Sequence, residues 1–320
     1  MINVAELGIY KVKLPLPFKL DHVNCYAVKG RRGWSIVDTG LNYEPARRAW
    51  LDFMAGRGIK PGDIAGIYVT HYHPDHYGAA GWLQQISGAP VYMSAIEASL
   101  AEKIWRRSNE DREIIAGMLL ENGMPQDLVA RILTGMDEMI PRVNPHPRVT
   151  PISDGEEVPL GDHHYRVVLT PGHSDGHACF YHEQSGLLLS GDHLLPKISS
   201  NISLWPHSHP NPLDNFLTSL EENHRLNVSL ALPAHGDCFS NVQQRVSELQ
   251  EHHRERLELM KRIASRGATV YQVCREVFGD RLSLHEIRFA MTETLAHLVY
   301  LEKRGELRVS KVDGRYIYSA

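Results

Sequence analysis

Hydrophobic and polar positions change their period several times along this chain of 320 residues, and each change marks a different kind of element. Short β-type runs come first, Ile9-Tyr10-Lys11-Val12, Asn24-Cys25-Tyr26-Ala27-Val28 and Trp34-Ser35-Ile36-Val37, with turns rich in Gly and Pro between them. Residues 46–56 switch to helical spacing, with Trp50, Leu51 and Met54 on one face. A strand over 64–69, a helix over 78–86 and a strand over 90–93 follow. From residue 95 apolar side chains recur at helical spacing through Leu100, Ile104, Ile114, Leu119, Leu128, Ile132 and Met136, which predicts an insertion of two or three helices over 95–145. Strands resume at 165–169, 178–181, 187–189 and 229–232, with a helix over 215–224 before the last. Two halves that each run strands and then a helix predict an α+β layered sandwich of sheets flanked by helices over residues 1–240. Residues 241–320 have another texture: helices over 246–264, 270–278 and 284–303, then a hairpin turning at Asp313-Gly314. That order is the pattern of a small winged-helix-like domain.

Composition narrows the class without naming a function. Apolar residues make up 42% and charged residues 22%, ordinary for a globular protein, and the net charge of −4 gives no drive toward nucleic acid or anionic membrane. The tail carries only a slight excess of Lys and Arg, whereas winged helices that bind DNA present a concentrated basic face. Nucleic acid is therefore not the expected partner; a small molecule is, with the tail serving a structural or homodimerising role. No run of about 18 apolar residues suggests a membrane span. The first residues lack the basic and apolar regions of a signal peptide, so the cytoplasm is the expected location. Cys25, Cys179, Cys238 and Cys274 are scattered, which argues against a zinc ribbon and a disulfide scaffold. Four of the nine methionines (Met118, Met124, Met136, Met139) fall in the insertion, where flexible thioethers would suit either an adaptable apolar wall of a binding site or the packing of the insertion against the body.

The 19 histidines change the picture, because many of them cluster. Directly after the strand ending at Val69 comes His71-Tyr72-His73-Pro74-Asp75-His76, three imidazoles and a carboxylate in six positions. Neutral imidazole and carboxylate are the donors that borderline divalent metals favour, and four on one strand-to-loop junction can serve two cations. Four more strand ends carry the same residue types: Asp38 after Ile36-Val37, His173 and His177 after the strand ending at Leu169, Asp192 after Leu189-Ser190-Gly191, and His235 after Leu232-Pro233-Ala234. Apolar strand, small residues, then a ligand type is what a site on one sheet edge requires, since rigid strands set its geometry.

These five motifs resemble the metallo-β-lactamase superfamily, in its hydrolase branch of glyoxalase II-like enzymes and lactonases, over roughly residues 20–240. The resemblance implies a four-layer αββα sandwich with two divalent metal ions at the sheet edge. Zinc is the expected metal, and manganese or iron would suit the same donors. Carried over motif by motif, His71, His73 and His173 would hold the first metal, Asp75, His76 and His235 the second, and Asp192 would bridge them. Asp38 would orient ligands from beneath without binding metal, and His177 would do so from beside them. A metal-bridging hydroxide would attack a small ester, thioester, lactone or phosphoester, with Asp75 also handling the proton. Lys197 and His207 are candidate substrate contacts, with the Pro-bounded loop around His207 as one wall of the mouth. True β-lactamases of this fold commonly carry Cys or Ser where Asp192 stands, which disfavours antibiotic hydrolysis. A mono-iron sulfur dioxygenase and a metal-dependent ribonuclease remain alternative readings.

Overall fold

Period-2 patterning in the first strand turns Val12 and Leu14 to one face, where they are buried, and Ile9, Lys11 and Lys13 to the other, where Ile9 is buried and the two lysines at this edge of the sheet stay exposed. The computed structural model describes residues 4–106 and 108–320. The chain runs β1 (Ile9–Pro15), β2 (His22–Gly30), β3 (Gly33–Val37), α1 (Glu44–Ala55), β4 (Ile64–Tyr68), α2 (Pro74–Tyr77), α3 (Ala80–Ser87) and β5 (Val91–Ser94). The insertion follows as α4 (Ala95–Trp105), α5 (Asn109–Glu121) and α6 (Gln126–Asp137). Then come β6 (Val149–Ile152), β7 (Glu157–Leu160), β8 (His163–Leu169), β9 (Ala178–His182), β10 (Leu187–Gly191), α7 (Pro212–His224) and β11 (Leu230–Pro233). The tail holds α8 (Val242–Ala264), α9 (Val270–Phe278), α10 (Leu284–Lys303) and the hairpin β12 (Arg308–Val312) and β13 (Arg315–Ser319). Asp313 and Gly314 take the positive φ angles of 47° and 77° that a two-residue hairpin turn demands. No helix among the described residues is long and apolar enough to cross a membrane.

One sheet orders its strands β1-β2-β3-β4-β5-β6 and the other β11-β10-β9-β8-β7. Val28, Val37 and Tyr68 meet Val167, Phe180 and Leu189 between the sheets. Outside the first sheet, Leu14, Ile36 and Ile67 pack under Trp50 and Met54 of α1 and Leu83 of α3. Outside the second, Tyr181 and Leu188 pack under Phe216 of α7 and Val246 and Leu249 of α8. Four layers result, in the expected αββα order. Neighbouring β3 and β4 are parallel, as are β10 and β11, so both pairs deliver their C-terminal ends to one edge. A main-chain bond from Ala178 to Thr70 O (2.9 Å) joins the two sheets there.

A fourth core lies outside the sandwich. Leu119, Met124, Ile132 and Met136 of the insertion pack against Met260, Val273, Leu298 and Tyr318 of the tail. The insertion and the tail thus bury their apolar faces in each other, which neither segment's pattern announces. The methionines do not line a binding wall. Met124 and Met136 are core residues, and Met118 and Met139 pack against cores.

Gly191 fixes the last turn of β10 before Asp192. Its φ is +50°, and a Cβ there would lie 2.6 Å from His177 Nε2 and 3.2 Å from Thr70 Cβ. Gly191→Ala should therefore cost about 2–4 kcal/mol from backbone strain plus steric conflict, read by urea denaturation of the metal-free protein. A loss below about 1 kcal/mol would mean the turn yields without cost.

Candidate metal centre

The edge gathers the sequence-predicted residues into one buried cluster. His71 Nε2, His73 Nδ1 and His173 Nε2 face one another at 2.9, 2.9 and 3.2 Å. Donor atoms of His71, His76 and Asp192, and those of Asp75, His76 and His235, form two further groups, each spanning no more than 4.8 Å. Asp192 connects the groups: Oδ1 lies 3.5 Å from both His76 Nε2 and His235 Nε2, while Oδ2 lies 3.5 Å from His173 Nε2. Asp75 Oδ2 lies 3.4 Å from His235 Nε2 and 3.7 Å from His76 Nε2.

Hydrogen bonds outside the cluster decide where the imidazole protons sit. His173 Nδ1 meets the carbonyl of Asn201 (2.8 Å) and His235 Nδ1 that of His22 (3.1 Å); a carbonyl only accepts, so both Nδ1 atoms carry the proton. Asp38 accepts from the Thr70 amide (2.8 Å), from the Thr70 hydroxyl (2.9 Å) and from His76 Nδ1 (2.8 Å). Its proton given to Asp38, the Thr70 hydroxyl accepts from His71 Nδ1 (2.9 Å). The neutral forms of His71, His76, His173 and His235 therefore all aim an Nε2 lone pair inward. His76 Nε2 and Asp192 Oδ1 are buried with no hydrogen-bond partner, an arrangement that costs stability unless a cation takes up both. The donor set fits two divalent metals.

Electrostatics separates the two positions. Burial and mutual repulsion hold the His71 and His73 imidazoles well below their ordinary value, so the three-histidine position is neutral. At the other position burial acts the same way on His76, but Asp192, Asp38 and Asp75 outweigh it and raise that imidazole. Burial would raise Asp75, yet His76 and His235 overcome it and hold the carboxyl at about 2. The acidic half demands positive charge, which a metal ion supplies.

Other expected residues fall around this cluster. His177 Nε2 accepts from the Asp192 amide (3.1 Å) and its Nδ1 lies 2.8 Å from Thr170 Oγ1, so it orients the Asp192 backbone. His207 Nε2 pairs with Asp111 Oδ1 of α5 (3.0 Å), tying the Pro-bounded loop to the insertion. Lys197 is exposed. Neither lines the cavity beside His73 and His173, whose walls are Tyr72, Leu100, Ile104, Trp205 and Phe289.

Glu97 escaped sequence reasoning. It is fully buried in the first turn of α4, where Oε2 accepts from the Tyr72 amide (2.8 Å) and Oε1 from the Gly176 amide (2.7 Å) and the Ser174 hydroxyl. One carboxylate thus clamps the loop of His71 and His73 to the loop of His173. The only signal was Ser94 three residues earlier, which reads as an ordinary helix cap and does accept from the Glu97 amide (3.2 Å).

A four-layer sandwich with imidazole and carboxylate donors converging at its sheet edge is the architecture of a metal-dependent hydrolase. Residues 19–235 match the metallo-beta-lactamase superfamily, and residues 257–320 match the metallo-beta-lactamase-like C-terminal domain. The chain belongs to the metallo-β-lactamase superfamily. It is 28% identical to a probable metallo-hydrolase of Bacillus subtilis (strain 168), over 97% of each chain. A crystal structure of a metallo-beta-lactamase family protein from Thermus thermophilus is 34% identical, with a TM-score of 0.87 over 98% of each chain. An atrochrysone carboxyl ACP thioesterase of Aspergillus fumigatus is 25% identical over 83% of this chain and 53% of its own length.

Glu97→Ala would leave three buried donors without an acceptor, at about 1–3 kcal/mol each. The metal-free protein should lose roughly 3–9 kcal/mol in urea denaturation, and chelator competition should show zinc held at least about tenfold more weakly. Unchanged zinc affinity would show that Glu97 clamps the loops without serving the ligands.

Proposed function

We propose that this chain is a two-metal hydrolase of small esters, thioesters or lactones carrying an apolar acyl group. The observation that carries this reading is the cavity opening on His73 and His173. Leu100 and Ile104 of α4, Trp205, and Phe289 of α10 give it apolar walls, Ser174, Asn201, Ser203 and Ser208 add neutral polar groups and Asp175 one carboxyl, and none of its described lining residues is Lys or Arg. Apolar walls beside the candidate donors suit an acyl group near a reacting carbonyl better than they suit a phosphodiester backbone. The thioesterase relative supports a thioester among the candidates. His71, His73 and His173 would hold one cation and Asp75, His76 and His235 the other, with Asp192 between them. Zinc is the expected metal, and the cations would lower the pKa of water and polarise the scissile carbonyl. Asp75, the more exposed of the two carboxylates at 20% against 11%, would take the proton of the attacking water and return it to the leaving group. The tail's winged-helix-like arrangement serves, in this reading, to supply a wall of the cavity through α10.

A series of acyl thioesters of increasing chain length tests the assignment with two zinc ions bound per chain. Asp75→Asn should lower kcat by at least about 100-fold. Ile104→Trp, which fills the cavity, should cut kcat/KM for octanoyl substrates by about tenfold or more and leave acetyl substrates within about twofold. One bound iron with oxygen uptake on a persulfide would establish the dioxygenase alternative instead, and faster turnover of RNA than of any thioester the nuclease one.

A further inference from the structure

The ligand His173 is oriented by a main-chain carbonyl, that of Asn201, and this carbonyl lies in a stretch of chain without regular structure between β10 and α7. A carbonyl on such a stretch holds an imidazole only as firmly as the stretch itself is held. The Ser200 hydroxyl ties the stretch to the Asp192 carbonyl and Arg245 of α8 ties it to the carbonyls of Leu195 and Ile198, but the anchors at Asn201 and just beyond it come from α10. Asn201 Nδ2 donates to Glu293 Oε2 (2.9 Å), Ser203 Oγ lies 2.8 Å from Thr292 Oγ1, and the Leu204 amide donates to Thr292 O (3.1 Å). Glu293 is itself buried in the middle of the helix, and Arg256 Nη1 of α8 stands 3.7 Å from its other oxygen. A buried carboxylate is costly to keep, and packing alone would be served as well by an apolar side chain. This one spends an oxygen on the residue next to the metal donors.

We propose that Glu293, backed by Arg256, is a positioning residue for the metal centre: it immobilises Asn201 so that the Asn201 carbonyl locks the ring and proton of His173. Helices α8 and α10 are then part of the metal site and not of an appended module. This inference rests on the reading that His71, His73 and His173 hold a cation. Glu293 touches neither metal nor substrate, and its effect travels through one side-chain amide, one peptide and one imidazole.

The test is zinc affinity of the full-length protein by chelator competition, with the cobalt-substituted protein's visible absorption as a spectroscopic report on the three-histidine position. Glu293→Ala should weaken zinc by about tenfold and change the cobalt spectrum. Asn201→Ala should do the same, and the double variant should be no worse than either single within about twofold, because both cut one connection. Glu293→Gln keeps an oxygen for Asn201 and should recover affinity to within about threefold of the parent. Thr294→Val, which removes a buried hydroxyl bonded to Ala290 O (2.7 Å) on the same helix, should lower the unfolding midpoint without changing zinc affinity. Should Glu293→Ala misfold, Glu293→Leu with Arg256→Leu offers an apolar pair in its place, and the same loss of affinity is expected in a folded protein. Parent-like zinc affinity in Glu293→Ala or in the apolar pair overturns the proposal alone. A parent protein that binds no zinc overturns the reading of the site and this inference with it.

Discussion

Everything at the sheet edge depends on one buried carboxylate. Asp38 sits at the end of β3 with a φ of +60°, a conformation that asparagine and aspartate tolerate better than most side chains. From there it accepts from the Thr70 amide, the Thr70 hydroxyl and His76 Nδ1. Those bonds decide more than position. They place the protons of His76 and, through Thr70, of His71 on the nitrogens facing away from the cluster, so lone pairs face inward at both candidate metal positions. Asp38 achieves this without being a donor to either one.

The same logic repeats outward. Main-chain carbonyls of Asn201 and His22 set the protons of His173 and His235, the ring of His177 holds the Asp192 amide, and Glu97 joins the two ligand loops. Each partner comes from a different element: the stretch after β10, the start of β2, the loop after β8, and α4. A metal centre assembled this way is only as rigid as the contacts among those elements. That is why the insertion and tail matter. They share a core with each other, and α4 and α10 face across the cavity that opens on His73 and His173.

Much of this was legible in the residues alone. Strand and helix periods located most elements, and the five motifs at strand ends pointed to the seven side chains that the fold gathers at one edge, because a candidate ligand must be of a few residue types and these follow rigid strands. The short helix α2 directly after His73 was missed, as were the strands β6 and β7, since four residues carry too little period to be read. The methionines of the insertion left two readings open for a related reason: a thioether fills a core and lines a pocket equally well, and only the packing of α5 and α6 against α8 to α10 distinguishes the two. His207 looked like a substrate contact and is engaged by Asp111 instead.

Sequence by itself determined the local facts: which segments are strands, where each ends, and which side chains at those ends can donate to a cation. These follow from short-range periodicity and from the chemistry of single residues. Tertiary structure alone decided which nitrogen of each imidazole faces the cluster, that Glu97 and Asn201 bond the ligands and their loops, and that Phe289 of α10 lines the cavity. Those outcomes turn on distances between residues far apart in the chain. Glu97 meets Gly176 across 79 positions and Asn201 meets Glu293 across 92, separations over which no pattern in the residues is kept.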